Sequence, residues 1–92
     1  MEFERKGNWI FKRNDGGNVI AEVTFPKLRD GVVVINHTYV DDSLRGRGIA
    51  GQLVEAAYEA IKAEGMKAEI TCPYAVKWFG DRPDKNDIVV SE

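Results

Sequence analysis

The 92-residue sequence has little of several features that define other protein classes. It contains one cysteine, Cys72, so no internal disulfide can form, and such a chain fits a reducing compartment. No apolar run approaches the roughly 18 residues that a membrane span needs. The opening segment, MEFERKGNWIF, lacks the apolar stretch of a secretory signal. We therefore expect a cytoplasmic protein that does not act at a membrane.

An excess of charge of one sign is also absent. The chain has 13 lysines and arginines against 15 aspartates and glutamates, a formal net charge of −2. A domain so close to neutrality lacks the basic footprint of a nucleic-acid-binding protein, so no nucleic-acid partner is expected. Asp41 and Asp42 have no metal-ligating residues at useful spacing, so we expect no metal. The length predicts a single domain over residues 1–92.

The first part of the chain carries the patterns of strands and turns. NWIFKR, residues 8–13, is rich in aromatic and apolar residues, and NDGG at 14–17 is a strong turn signal. The apolar residues that follow the turn alternate: Val19, Ala21, Val23 and Phe25. This pattern predicts a β-hairpin from about residue 9 to residue 25.

The segment VVVINHTYV, Val32 to Val40, is the strongest strand signal in the sequence. Four successive β-branched residues predict a central strand that is buried on both faces. His37 and Thr38 interrupt the apolar run near its end.

The second half predicts a strand–helix–strand unit that includes this strand. Apolar residues recur at every fourth position from Ile49 to Ile61, which predicts an amphipathic helix, and Gly65 is placed to end it. Residues 67–72 predict a strand parallel to the first. Residues 73–83 predict a short helix that Pro73 begins, and the remaining tail predicts a loop and a short edge segment.

The segment LRGRGIAGQLV, residues 44–54, contains the G-x-G-x-x-G fingerprint of dinucleotide-binding folds at Gly46, Gly48 and Gly51. Its context argues against such a fold. The fingerprint should follow its strand directly, but five residues separate Val40 from Gly46. The rest of the chain also supplies only one more strand and one short helix.

The same loop, RGRGIA at residues 45–50, fits the pattern [RQ]-x-x-G-x-[GA]. Together with HTYV at 37–40 and CPY at 72–74, it resembles a small single-domain branch of the GNAT superfamily of acetyl-coenzyme A-dependent N-acetyltransferases. That branch has the pattern H-T-x-V, then L-R-G-x-G-I-A, then C-x-Y. The match extends from about residue 35 to residue 74.

The resemblance implies a mixed α/β (α+β) fold of minimal GNAT type. Such a fold has mostly antiparallel N-terminal strands, a central β-α-β unit with splayed parallel strands, and a short C-terminal helix. The chain is shorter than typical members, and its sequence predicts none of the early helices that line their acceptor side. The resemblance therefore leaves the acceptor open and implies an exposed site.

The resemblance also implies acetyl-coenzyme A as co-substrate and an amine as acceptor. A glycine-rich loop at a helix N-terminus suits a diphosphate. The loop residues implied in its binding are Arg45, Gly46, Arg47, Gly48, Ile49 and Ala50. Backbone N–H groups at a bulge would hold the acyl carbonyl and the pantetheine arm, and they lie near Thr38, Tyr39 and Val40.

Three side chains are candidate catalytic groups. His37, the only histidine, precedes the expected bulge and is the candidate general base. Cys72 precedes a helix N-terminus, which favours a thiolate, and is a candidate transient acetyl carrier or contact for the cofactor sulfur. Tyr74 is a candidate proton donor to the leaving thiolate, with core packing as the alternative. If His37 and Cys72 lie close together, they would form a Cys–His pair.

Three functions from different classes follow from these features. The first is an acetyltransferase that acts on an amine. The second is a module that binds coenzyme A, acyl-coenzyme A or another protein without turnover. The third is nucleotide binding through the glycine loop alone.

Overall fold

The computed structural model describes residues 2–90, which form two β-sheets, two α-helices and two short 3-10 helices. One sheet has the strand order β1-β2-β3-β6, with β1 at Glu4–Arg5, β2 at Trp9–Arg13, β3 at Val19–Thr24 and β6 at His37–Val40. The other has the order β4-β5-β7, with β4 at Lys27–Arg29, β5 at Val32–Ile35 and β7 at Lys67–Ile70. The helices are α1 at Ile49–Ala63 and α2 at Pro73–Gly80, and the 3-10 helices are Asp42–Leu44 and Pro83–Ile88.

The predicted hairpin is confirmed. Strands β2 and β3 pair antiparallel, with Trp9 opposite Thr24 and Lys12 opposite Ala21. Asn14 closes the turn between them, because its side-chain oxygen accepts hydrogen bonds from the N–H groups of Gly16 and Asn18 at 2.9 and 3.0 Å.

The expectation of one continuous strand from Val32 to Val40 is wrong. The chain divides at Asn36 into β5, which pairs parallel with β7, and β6, which pairs antiparallel with β3 in the other sheet. Asn36 is drawn toward β3, because its N–H donates to the Thr24 carbonyl at 3.3 Å and its side-chain oxygen accepts from the Thr24 hydroxyl at 2.7 Å. These nonlocal hydrogen bonds to Thr24 are the physical reason for the division.

The second parallel strand is shorter than the predicted 67–72. The Ile35 carbonyl accepts hydrogen bonds from the N–H groups of both Thr71 and Cys72, at 3.0 and 3.1 Å, so the ladder ends at this point. The parallel pairing of β5 with β7 is confirmed. The segments that follow these two strands then splay apart. The prediction that this strand is buried on both faces is wrong. Val33 and Ile35 are fully buried, whereas Val32 and Val34, on the other face of β5, are only partly buried.

Helix α1 forms as its periodicity predicts and packs across both sheets. Leu53, Val54, Ala57 and Ile61 have no exposed surface and lie in one core with Val23 of β3 and Ala68 of β7. The helix ends at Ala63, and Gly65 follows its C-cap residue with a φ of +71°, the left-handed conformation that glycine adopts freely.

The predicted short C-terminal helix is confirmed as α2, with Pro73 in its first turn. Its buried residues, Ala75, Trp78 and Phe79, join the same core. The tail is more regular than expected, since it contains the 3-10 helix Pro83–Ile88. The expected edge segment is a single parallel bridge between Ala68 and Val89. Within residues 2–90, no helix is both long enough and apolar enough to span a membrane.

We expect Leu53→Ala to lower the free energy of unfolding by about 3 kcal/mol, because it opens a cavity between α1 and the sheets. The matched control is Leu28→Ala, where the same side chain is removed from a position that is 47% exposed. That change should cost less than about 0.5 kcal/mol. Urea unfolding of both variants measures the difference, and equal losses would contradict the assignment of Leu53 to the core.

Candidate functional site

An open groove of about 470 Å³ lies where β6, the loop after it, α1 and the start of α2 meet. Its lining combines two strand residues, the glycine loop, the first turn of α1 and one aromatic ring of α2. The lining residues are Thr38, Val40, Leu44, Arg45, Gly46, Gly48, Ile49, Ala50 and Tyr74. Most of the predicted binding residues therefore meet in one place, whereas His37, Tyr39, Arg47 and Cys72 do not line the groove.

Strand β6 presents backbone groups to this side of the sheet. Within the described residues it is an edge strand of its sheet and pairs only with β3. The N–H of Asp41 bonds to the Ile20 carbonyl, so alternate positions in this antiparallel ladder turn their backbone groups toward β3. The N–H groups of Thr38 and Val40 consequently point away from β3 toward the splay, whereas that of Tyr39 points toward β3.

The N-terminus of α1 opens onto the groove. Gly48 is its N-cap residue with φ of +69°, and Gly46 has φ of +80°. The first N–H bonded within the helix is that of Gln52, to the Gly48 carbonyl at 3.2 Å, so the preceding N–H groups have no partner inside the helix. Methyl groups added at Gly46 or Gly48 would meet no atom within 4 Å, so the positive φ values, rather than crowding, require glycine.

Charge near the loop comes from Arg45, whose Nε lies 2.8 Å from Asp42 Oδ1. Both side chains are largely exposed. Arg47 is exposed as well. In the described part of the chain, no group of three histidine, cysteine or acidic side chains is arranged to hold a metal ion.

Asp41 fixes the turn between β6 and the loop. Its carboxylate accepts hydrogen bonds from the Ser43 hydroxyl at 2.6 Å, the Ser43 N–H at 3.0 Å and the Tyr39 hydroxyl at 3.2 Å. The Ser43 hydroxyl is the main cause that holds the pKa of Asp41 below its usual value, followed by the Ser43 N–H and Tyr39. The same carboxylate raises the pKa of Tyr39.

Gly51 has a role that its place in the sequence does not reveal. A Cβ at this position would lie 3.3 Å from the Tyr74 hydroxyl and 3.5 Å from the Trp78 indole nitrogen. The absence of a side chain therefore lets α2 bring the Tyr74 hydroxyl against the first turn of α1, at the edge of the groove. The third glycine of the dinucleotide fingerprint is thus accounted for by a helix–helix approach, and the first two by their positive φ values.

Cys72 lies just behind the groove wall. Its thiol donates to the Thr38 hydroxyl with an Sγ–Oγ1 distance of 3.5 Å, and the residue is 6% exposed. Cys72 also immediately precedes α2, as its N-cap residue. The thiol is therefore one side chain away from the open space, on the α1 side of β6.

His37 lies on the opposite face of β6, because adjacent residues of a strand point to opposite faces. Its Nε2 is 3.2 Å from Glu22 Oε2, and the side chain is 52% exposed. The structure does not bring His37 and Cys72 together as a pair. The partner it shows, Glu22, was not identified from the sequence, because the cross-strand register that brings the two together cannot be derived from either segment alone.

Comparisons with known proteins give a consistent result. The chain matches the family described as GCN5-related N-acetyl-transferase over residues 9–88. It is 34% identical to Protein NATD1 of Gallus gallus over 83 residues, which cover 90% of this chain and 76% of that protein.

Solved structures share the fold. A GCN5-like protein from Staphylococcus aureus superposes with a TM-score of 0.80 at 24% identity, covering 99% of this chain and 89% of its own. The GNAT family N-acetyltransferase YhbS of Escherichia coli, solved in complex with CoA, gives a TM-score of 0.55 at 27% identity. That match covers 63% of this chain and 35% of YhbS.

We expect the Asp41 carboxylate to stabilise the fold in a pH-dependent way. Because its pKa is lowered in the folded state, its contribution is complete above the ordinary aspartate value of about 3.9 and is lost as the pH falls through the lower folded value. Asp41→Asn should therefore lower the melting temperature at pH 7, and the gap from the native protein should narrow toward pH 3.

The matched control for this experiment is Ser43→Ala, which removes the main donor without changing the charge. The difference in melting temperature between Ser43→Ala and the double variant Ser43→Ala with Asp41→Asn should depend less on pH than the difference between the native protein and Asp41→Asn. Thermal unfolding followed by circular dichroism measures all three variants. A gap between Asp41→Asn and the native protein that is constant from pH 7 to pH 3 would contradict this role.

Proposed function

Because this chain belongs to the GCN5-related N-acetyltransferase family, we propose that it transfers the acetyl group of acetyl-coenzyme A to an amine. The observation that carries the proposal is the groove in which the edge of β6 and the N-terminus of α1 meet. The free N–H groups of the β6 edge suit the thioester of this co-substrate, and those of the α1 N-terminus suit its diphosphate. CoA in the YhbS complex supports the same choice of ligand.

The loop end of the groove fits a diphosphate. Gly46 and Gly48 leave space for close approach, the N–H groups of the first turn of α1 are donors, and the helix dipole favours negative charge. Arg45 adds a positive charge at the rim, and it can exchange its exposed contact with Asp42 for a phosphate at little cost.

The strand end of the groove fits the acyl group and the pantetheine arm. The outward N–H groups of Thr38 and Val40 lie along one edge, so one can hold an amide of the arm while the other polarises the acetyl carbonyl. Tyr74 lines the same groove, and this position supports its hydroxyl as the proton donor to the departing thiolate.

Cys72 is the thiol that we propose as transient acetyl carrier. Its support is its position beside Thr38, behind the groove wall and at the N-terminal end of α2. In this step the cysteine sulfur attacks the acetyl carbonyl and the bond from that carbon to the coenzyme sulfur breaks. The Tyr74 hydroxyl protonates the departing thiolate and regains its proton from the Cys72 thiol. The amine then attacks the acetyl-cysteine and releases the thiol.

We expect acetyl-coenzyme A to bind and Arg45→Ala to weaken that binding about fivefold to tenfold, about 1 kcal/mol, because one phosphate contact is lost. The effect should shrink at high salt, since the side chain is exposed. The matched control is Arg29→Ala, which removes the same charge at a contact with Glu69. Isothermal titration calorimetry measures both, and the absence of any heat with the native protein would overturn the proposed function.

We expect an increase in mass of one acetyl group on Cys72 after incubation with acetyl-coenzyme A and rapid acid quench. Cys72→Ala should abolish the adduct while leaving the affinity for acetyl-coenzyme A within about threefold. The control Cys72→Ser keeps a hydroxyl at the same position and should accumulate acetyl-serine slowly or not at all. Unchanged transfer rates in Cys72→Ala would show direct transfer from coenzyme A to the amine.

A screen of primary amines, polyamines and peptides for acetyl-dependent release of coenzyme A separates an enzyme from a binding module. Turnover above background with any acceptor supports the transferase. Binding of acetyl-coenzyme A with no release above background would instead support a module that binds without turnover.

A further inference from the structure

A chain of hydrogen bonds crosses the outer face of the four-stranded sheet, the face that α1 does not cover. The indole N–H of Trp9 donates to Glu22 Oε1 at 2.8 Å, and Glu22 Oε2 lies 3.2 Å from His37 Nε2. Glu22 is only one-quarter exposed, and its two oxygens are held from two different strands. The Trp9 ring is itself fixed, since it stacks on Phe11 with ring centroids 3.9 Å apart.

These hydrogen bonds determine which ring nitrogen of His37 carries a proton. An indole nitrogen can only donate, so it must point its hydrogen at the carboxylate, and an ionised carboxylate can only accept. The neutral imidazole therefore has its proton on Nε2, where Glu22 accepts it. In this tautomer Nδ1 carries the lone pair and is the nitrogen that can accept a proton.

His37 lies beside the splay, at the start of β6 and on the outer face of the sheet. It follows Asn36, where β5 and β6 separate, and it directly precedes Thr38, which faces Cys72 and the groove on the other side. A thioester held at the free edge of β6 would thus have Cys72 on the α1 side of the sheet and the imidazole on the outer side.

We propose that Glu22, anchored by Trp9, is a positioning residue that holds His37 in the tautomer needed to deprotonate the acceptor. The acceptor then approaches from the outer face of the sheet. This inference rests on the proposed acetyltransferase function. As the amine nitrogen bonds to the acetyl carbon of acetyl-Cys72, Nδ1 takes the amine proton, and the bond from that carbon to the cysteine sulfur breaks with its electron pair left on the thiolate. The proton on His37 then passes through solvent to that thiolate, which restores the thiol.

The outer face around this base carries negative charge and aromatic surface. Besides Glu22, it presents Tyr39, which lies directly opposite Glu22 in the β3–β6 ladder and donates to Asp41. Carboxylates near an indole attract ammonium groups and their aliphatic stems. The acceptor class that fits is a cationic primary amine.

The Glu22→Gln variant tests the tautomer directly. Glutamine has one oxygen, and the Trp9 N–H needs it, so the amide NH₂ would turn toward His37 Nε2 and force that nitrogen to accept. The imidazole proton should therefore move to Nδ1. Because His37 is the only histidine, nitrogen-15 NMR at about pH 8, where an ordinary imidazole is neutral, reports both ring nitrogens without overlap.

The double variant Trp9→Phe with Glu22→Gln should reverse this change. Without the indole donor, the glutamine oxygen is released and can accept from Nε2 again, while the phenyl ring keeps the stack on Phe11. The tautomer of the native protein should return, together with part of the activity. Glu59→Gln makes the same charge change on the exposed side of α1 and should leave both the spectrum and the activity unchanged.

With the best amine from the acceptor screen, Glu22→Gln should lower kcat about 10-fold to 100-fold, within the range of general-base catalysis. The affinity for acetyl-coenzyme A should stay within about twofold, because the groove is on the other face. A native tautomer in Glu22→Gln, or an unchanged kcat despite a switched tautomer, would overturn the inference and leave the proposed function intact. Failure of the native protein to bind acetyl-coenzyme A, or to turn over any amine, would instead overturn both.

Discussion

The division of the chain at Asn36 is the constraint on which the site depends. Asn36 bonds to Thr24 on one side, while the carbonyl of Ile35 receives two N–H groups from the end of the neighbouring strand on the other. The parallel ladder can extend no further, and β6 joins the other sheet. Without this division the N–H of Thr38 would be used in a ladder with the segment that follows β7, and no groove would exist.

Such an opening weakens the sheet, because β6 and β7 share no ladder, and α1 compensates for the loss. Its buried side packs on strands of both sheets, so the apolar core joins the two where backbone hydrogen bonds do not. The same helix directs its N-terminus at the groove. The helix that stabilises the splay is therefore also the helix whose N-terminus forms the proposed anion-binding end of the site.

Local patterns in the sequence predict most of the helices and strands, but they do not predict the break at Asn36 that causes the splay. The periodicity from Ile49 to Ile61 and the turn at residues 14–17 are complete signals, because the residues that form each element are neighbours in sequence. An apolar run such as VVVI predicts a strand equally well whether or not the strand continues beyond it. The break needs Thr24, which lies twelve residues away from Asn36, and no local pattern contains that contact.

The candidate site divides in the same way. The loop motif predicts the groove, because its glycines and the following helix are contiguous. The partner of His37 could not be predicted, since Glu22 meets it only through the register of β3 against β6. The alternative pairing with Cys72 was suggested by a short separation across parallel strands, which is a statement about backbones and does not specify faces.

The order of two adjacent residues, His37 and Thr38, places the two halves of the proposed chemistry on opposite faces of β6. Thr38 faces the thiol and the groove, and His37 faces Glu22 on the outer surface, because side chains alternate along β6. A shift of one residue in the β3–β6 register would exchange these faces, burying the imidazole against α1 and exposing the threonine. Asp41 opposes such a shift, because Ser43 holds its carboxylate at the end of β6 and its backbone N–H donates to the Ile20 carbonyl. The loop proposed to hold the diphosphate and the strand proposed to separate donor from acceptor are thus kept in register by the same residue.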